Sequence, residues 1–276
     1  NENENENEND EDKKLLESLN NEIELRLARL EHITERRPLL LNSVMLRQNP
    51  NNIYEWHKRI KLVKNDKPRT IMTFMEGIKT VNPTQVYGKL SSLWLSLARF
   101  YENNNDIENA RMVYQKSTEV EYRHIDELAT IWCEWTEMEL RHKNYDNALS
   151  IMKQAVTEPK SSIQRKKQHL IAQGKTKISS KIDDFNPDSS TTIQERLHRN
   201  VKIWGLYLDL EESLGSIESC RAAYDRVMDM KIITPQMTLN YALFLEENNY
   251  FEDSFRVYER AVSLFTFPHV KPIWLT

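Results

Sequence analysis

SSLWLSLARFYENNNDIENARMVY (residues 91–114) and TIWCEWTEMELRHKNYDNALSIM (residues 130–152) are two versions of one pattern. In each, a tryptophan (Trp94, Trp132) opens an apolar helix and a polar break follows. A small residue sixteen positions after the tryptophan (Ala110, Ala148) then precedes a bulky one four further on (Tyr114, Met152). Trp56 extends the series backward at the same interval of 38 residues. A fixed period of this length is the signature of stacked helix hairpins, none of which can bury its apolar face alone. The small residue marks where two helix backbones approach, and the bulky one fills the groove a turn later.

The pattern runs on in both directions. Downstream it reads Trp204, Cys220 and Tyr224, then Thr238, Ser254 and Tyr258; upstream it survives as Thr70 and Phe74, displaced by two residues in the turn. Three residues after each anchor stands another large side chain: Leu97, Trp135, Tyr207 and Tyr241. The breaks between helices, Asn103 to Asp106, His142 to Asn144, Ser213 to Ser216 and Glu247 to Asn249, carry Asn or Gly, which end helices at little cost because they tolerate the left-handed conformation. The predicted fold class is all-α, a right-handed α-solenoid of helix hairpins over residues 15–276. Repeats are expected near 51–80, 91–120, 126–158, 198–230 and 235–265, with the start of another at 272. The chain opens on Asn1 and closes at Pro272-Ile273-Trp274, early in that last helix, which suggests an excerpt of a longer solenoid.

Two segments depart from the period. Residues 1–14 alternate Asn and Glu with nothing to bury, which predicts a disordered acidic tail. A helical face of Leu15, Leu16, Leu19, Ile23, Leu27 and Leu30 follows, and Pro38 is expected to break it. The second departure lies between Trp132 and Trp204, an interval of 72 residues, about two periods, with no aromatic anchor in its middle. It reads as an insertion near 160–192. Lys160, Arg165, Lys166, Lys167, Lys175, Lys177 and Lys181 give it seven positive charges and no acid between 160 and 182, an electrostatic footprint for RNA or an acidic partner.

Composition supports the same picture. Five glycines in 276 residues disfavour folds built on glycine-bearing hairpins or phosphate loops. The net charge is −4, yet residues 1–12 hold seven acids, so the remainder carries 38 basic against 35 acidic side chains. Cys133 and Cys220 lack any CxxC spacing and read as small helix-packing residues of a reducing compartment. The sequence shows no secretory signal and no apolar run long enough to span a bilayer, which points to cytoplasm or nucleus.

No catalytic constellation stands out. Gly174-Lys175-Thr176 looks like the end of a phosphate loop, but His169 occupies the position of the required first glycine and no strand precedes it. The seven histidines have no metal-binding spacing; His142 and His198 read as turn or helix-surface residues. Glu139, Glu211 and Glu246 recur near the ends of first helices, where capping or inter-helix pairing explains them better than acid/base chemistry. Core packing likewise explains the tryptophans better than base stacking does. No cofactor is expected, and the chain does not read as an enzyme.

Spacings such as Trp132-x-x-Trp135-x-x-x-Glu139 and Trp204-x-x-Tyr207-x-x-x-Glu211 resemble the half-a-tetratricopeptide, or HAT, repeat, as do Ala110-Arg111-x-x-Tyr114 and Arg256-x-Tyr258-Glu259-Arg260-Ala261 in the second helices. Longer strings are similar to the Syf-one, or XPA-binding-protein-two, family of pre-mRNA-splicing factors: Arg37 to Pro50, Glu55 to Arg59, Leu210 to Gly215, Thr234 to Gln236, Asn240 to Glu247 and Tyr250 to Phe255. The resemblance runs from about Leu25 to the end and does not cover the Asn/Glu tail or the lysine-rich interval. It implies a non-catalytic nuclear scaffold in the NineTeen complex of the spliceosome. There a crooked-neck-type HAT protein, Isy-one and the Aquarius-type helicase would be partners, and a link to transcription-coupled repair is implied for the animal relative. Within the same fold, a HAT scaffold of RNA 3′-end processing or ribosome biogenesis is the alternative; from another class, a tetratricopeptide-like co-chaperone. No membrane partner is expected.

Overall fold

A computed structural model describes the backbone of residues 2–158 and 192–275, with side chains from residue 16 onward. The described residues are built of helices, without strands; one isolated bridge joins Asn52 to Tyr87. The backbone falls into two compact units, residues 1–88 and 89–276.

In the first unit, α1 (Glu2–Gln48) packs on α2 (Ile53–Val63), which pairs with α3 (Lys67–Thr80). Asn52 caps α2 by accepting from Tyr54 N, and Asp66 caps α3 by accepting from Arg69 N, with Pro68 in the first turn where its missing N–H costs nothing. Trp56, Thr70 and Phe74 are buried between these helices.

Two expectations fail in α1. Residues 2–14 have helical backbone where a disordered tail was predicted. Glutamate is a good helix former, acidic side chains are favoured at a helix N-terminus, and the stretch contains neither glycine nor proline to stop propagation. Pro38 lies inside the same helix rather than ending it. The turns after it are held by tertiary contacts that offset the lost hydrogen bond. Leu46 is buried, Asn42 Nδ2 donates to Glu55 O and Oε2, each at 2.8 Å, and Arg59 donates to Ser43 Oγ at 3.1 Å.

The second unit contains four hairpins: α4 (Leu90–Asn103) with α5 (Ile107–Thr118), α6 (Ile125–Arg141) with α7 (Tyr145–Val156), α9 (Val201–Leu214) with α10 (Ile217–Asp229), and α11 (Pro235–Glu247) with α12 (Phe251–Leu264). A short α8 (Ile193–Arg196) and a 3-10 turn (Leu197–Arg199) lead into α9, and α13 (Lys271–Trp274) follows α12. Although α7 and α9 are far apart in sequence, α9 packs directly on α6 and α7. The long Trp132 to Trp204 interval therefore does not interrupt stacking.

The deepest row of the core is one residue ahead of the tryptophans. Leu93, Ile131 and Ile203 are each 0% exposed. The anchors themselves grade from Trp204, fully enclosed, through Trp132, buried, to Trp94, half-buried. Trp94 is thus not the full core residue that the period suggests; Leu93 and Leu97 take the inner face of that helix and leave the indole at its margin. The turns also differ in detail. Asn105, Lys143 and Asn249 adopt the left-handed conformation, whereas Gly215 is extended at φ −84°. Glycine is needed there for space: a Cβ at Gly215 would lie 2.3 Å from Glu211 Oε2 and 2.6 Å from Glu211 O.

Candidate functional site

Two kinds of contact recur at the junctions between neighbouring hairpins in the second unit. The first is aromatic. Tyr114 in α5 stacks on Trp135 of α6 with rings 3° from parallel, and Tyr224 in α10 stacks on Tyr241 of α11 at 4.4 Å and 5°. At these two junctions the bulky residue of the second helix meets the residue three after the anchor in the next repeat. Ala110 and Cys220, four positions before the stacked tyrosines, are 0% exposed, which is the close approach that lets the stack form; Ala148 is equally buried ahead of Met152. Trp135 is half-buried, Tyr207 is buried against Trp204 in an edge-on pair, and Tyr258 is half-buried.

The second contact is a buried carboxylate. Glu139, at the end of α6, accepts from Asn144 Nδ2 at 3.0 Å in its own hairpin turn. It also accepts from Arg111 Nε at 2.7 Å and Nη2 at 2.8 Å, across to α5. Glu211 accepts from Ser219 Oγ at 2.6 Å within its hairpin and lies 3.4 Å from Lys153 Nζ of α7. Glu246 accepts from Ser254 Oγ at 2.7 Å. These glutamates close their own hairpins, and two of them also bridge to the preceding one. Burial pushes the Glu139 carboxyl up, but the bonds from Arg111 and Asn144 outweigh it and hold the group below its ordinary value; Glu211 is held down in the same way by Ser219, Tyr207 and Lys153.

Several junction residues gave no signal in the sequence. Glu127, buried in α6, accepts from Ser91 N at 3.2 Å and so caps α4 from a different hairpin, α4 having no side-chain cap of its own. Arg99 reaches Glu134 at 2.7 and 2.8 Å, Arg141 reaches Glu102 at 2.9 Å, and Arg221 reaches Asp253 at 2.6 Å. Surface charge pairs such as these are invisible until the neighbouring helix is placed. Trp56 and Trp204 share a further device: each indole N–H donates to the carbonyl six residues earlier, Pro50 O at 2.9 Å and His198 O at 2.7 Å, fixing the chain's entry into the helix. His198 lies in a turn but is buried, not on the surface, because Nδ1 pairs with Glu195 O at 2.7 Å.

Cys133 and Cys220 are buried free thiols, and burial pushes them up to about 11 and about 12. Among the described residues no cluster of three His, Cys, Asp or Glu side chains is placed to hold a metal, and no helix is long and apolar enough to cross a membrane. Lys160, Arg165, Lys166, Lys167, Lys175, Lys177 and Lys181, together with Gly174-Lys175-Thr176, lie outside the described residues.

The first unit has a different surface. α2 covers one side of the C-terminal part of α1, while Leu19, Ile23, Leu27, Leu30, Ile33, Leu40 and Val44 remain exposed, Leu30 at 63%. Exposed apolar side chains recur at the other end of the chain on α12 (Phe251, Phe255) and α13 (Trp274).

Paired amphipathic helices joined by an aromatic stack and a buried carboxylate define a helical-repeat solenoid of the tetratricopeptide type. Comparison with known proteins specifies it further. Residues 83–276 match the family model described as "Pre-mRNA-splicing factor Syf1/CRNKL1 C-terminal HAT repeat", and residues 1–81 match "Pre-mRNA-splicing factor SYF1 middle HAT repeat". The chain belongs to the Syf1/CRNKL1 family of HAT-repeat proteins. It is 46% identical over 253 residues to the "Pre-mRNA-splicing factor syf1 homolog" of Drosophila melanogaster, covering 92% of this chain and 26% of that protein. To human "Pre-mRNA-splicing factor SYF1" it is 44% identical over 255 residues, covering 92% and 27%. To "Pre-mRNA-splicing factor cwf3" of Schizosaccharomyces pombe it is 44% identical over 252 residues, covering 91% and 29%. The chain thus spans a little over a quarter of the length of these relatives.

Proposed function

We propose that this chain is part of a non-catalytic nuclear scaffold in pre-mRNA splicing, acting within the NineTeen complex of the spliceosome. The relatives' names support the process, and the observation that carries the scaffold role is the exposed apolar row of α1. A contiguous apolar surface of this length, solvated on a helix, is the mark of a protein contact. The mechanism is geometric: junctions locked by stacks and bridges hold helix faces in fixed register, and partners dock along them. A crooked-neck-type HAT protein, Isy-one and an Aquarius-type helicase are the partners proposed.

The test is affinity purification of the tagged chain from nuclear extract, with and without nuclease, followed by mass spectrometry. Nuclease-resistant recovery of a crooked-neck-type HAT protein and other NineTeen components supports the reading. Recovery of cleavage-stimulation factors, ribosome-biogenesis factors or chaperones in their place would overturn it. The double substitution Ile23→Glu, Leu30→Glu should abolish that recovery while leaving the helical circular dichroism unchanged, since both positions are solvent-exposed.

A further inference from the structure

A cleft of about 780 Å³ opens in the second unit where the first turns of α6 and α9 meet α8. Its walls include Ile125 and Asp126 from α6, Arg196 and Arg199 from α8 and the turn after it, and Asn200 and Lys202 at the start of α9. Three cationic side chains therefore stand against one carboxylate. That carboxylate is already engaged, since Asn200 Nδ2 donates to Asp126 Oδ1 at 3.0 Å. Lys202 Nζ donates to Thr130 Oγ1 at 3.1 Å, which aims the ammonium while leaving two of its protons for another acceptor.

Arg99, Arg111, Arg141, Arg221 and Arg260 each bridge to a carboxylate. Arg199 and Lys202, both exposed, make no ion pair among the described residues. The charge that those bridges neutralise is left unpaired at Arg199 and Lys202. The N-terminal ends of two long helices, α6 with 17 residues and α9 with 14, border the same space and add to its positive potential, α6 having no side-chain cap.

We infer that this cleft binds the phosphate backbone of single-stranded RNA. Arg199 offers forked donors that match phosphate oxygens, Lys202 supplies a compact charge beside it, and Arg196 adds to the positive potential of the wall. The cleft is within the size range of small-ligand sites and open to solvent, so a continuous strand can pass through it. Three of its lining side chains, Arg196, Arg199 and Lys202, are cationic, which suits a repeating phosphate backbone. That the ligand is a polyanion rests on the cleft alone; the choice of RNA also rests on the splicing reading above.

The experiment is a fluorescence-anisotropy titration of a labelled 20-nucleotide single-stranded RNA with the purified full chain between 50 and 300 mM KCl. Two variants are compared with the parent, R199Q/K202Q and R199E/K202E. All three are also measured with the seven basic residues between 160 and 182 replaced by glutamine, which removes that segment's own attraction for RNA. In this background the glutamine pair should weaken binding roughly tenfold near 150 mM salt. It should also lower the steepness of log K against log salt by about 1.4, two lost contacts at about 0.7 each, and the glutamate pair should go further. Both positions are exposed, so helical content should not change. Unchanged affinity and slope in both variants would overturn the inference, as would parent chain that binds a phosphoserine-rich acidic peptide but no RNA. The purification test contains no RNA probe and its nuclease arm removes RNA bridges, so either proposal can fail without the other.

Discussion

Replacing Trp204 isolates what the repeat anchor contributes. The indole is fully enclosed, its N–H donates to His198 O at 2.7 Å, Tyr207 meets it edge-on at 5.6 Å, and the Arg226 guanidinium lies 5.5 Å over the ring. Burial of about 200 Å² of aromatic surface at about 25 cal/mol per Å² is worth about 5 kcal/mol, in line with the 3 to 5 kcal/mol usual for truncating a large aromatic. Trp204→Ala also leaves the carbonyl of the buried His198 without its donor, a further cost of about 1 to 3 kcal/mol. Trp204→Phe keeps most of the packing and loses the donor, so it should cost about 1 to 3 kcal/mol. Urea unfolding of both variants and the parent, followed by circular dichroism, gives the two differences. Native-state hydrogen exchange then shows whether the loss is centred on α9 and α10, as expected of a repeat array in which each hairpin contacts only its neighbours. A cost for Trp204→Ala below about 1.5 kcal/mol would refute the assignment of this side chain to the core, because surface substitutions fall within about 0.5 kcal/mol. Equal costs for alanine and phenylalanine would refute the separation of packing from hydrogen bonding.

Gly215→Ala should destabilise the α9 to α10 hairpin by about 1 to 3 kcal/mol, because the new methyl meets the Glu211 backbone carbonyl as well as its carboxylate; a neutral effect in urea unfolding would show the turn can yield. Acid sensitivity should trace to the junction carboxylates. The hydrogen bond from Arg141 holds Glu102 low, and Glu139 and Glu211 are held below the ordinary 4.5 despite burial. Depressed values stabilise the fold fully above that pH and lose the contribution as pH falls through 4.5 and below, so the melting temperature should drop there and the drop should be shallower in Arg111→Met. Cys220, with its thiol pushed up to about 12 by burial, should resist an aromatic disulfide reagent at pH 8 in the folded chain and react once unfolded; rapid reaction of both thiols in the native protein would contradict the packing of α6 and α10.

The helical repeat was legible because its signal is redundant: small and bulky residues recur at the same offsets in hairpin after hairpin, and the turns fall where Asn or Gly interrupts them. The glutamates ending the first helices were also readable as pairing groups, since their recurrence tracks the period. What local pattern could not supply was depth and partner. Trp94 looks like Trp204 in sequence, and the side chain one position earlier is fully buried in both helices, yet how far the indole follows it inward depends on the neighbouring helix. Pro38 obeyed the rule for an isolated helix and was overridden by the packing of Leu46 and Asn42. Glu127 capping α4 from 36 positions away, and Asp126 held by Asn200 beside the cations of the α6 to α9 cleft, bring together residues tens of positions apart, a relation that no window along the chain contains.

The direct seating of α9 on α6 and α7 has a consequence for how this chain tolerates change. Lys153 beside Glu211, and Arg226 donating to Val156 O at 3.0 Å, join α7 directly to α9 and α10. Closing a longer connection adds only about 0.6 kcal/mol for each doubling of its length. Covalent continuity and lateral cohesion are therefore separable at this joint. A protease cut made there should leave two fragments that co-elute as one particle, and a foreign domain spliced in at the same place should ride along without loosening the helices on either side.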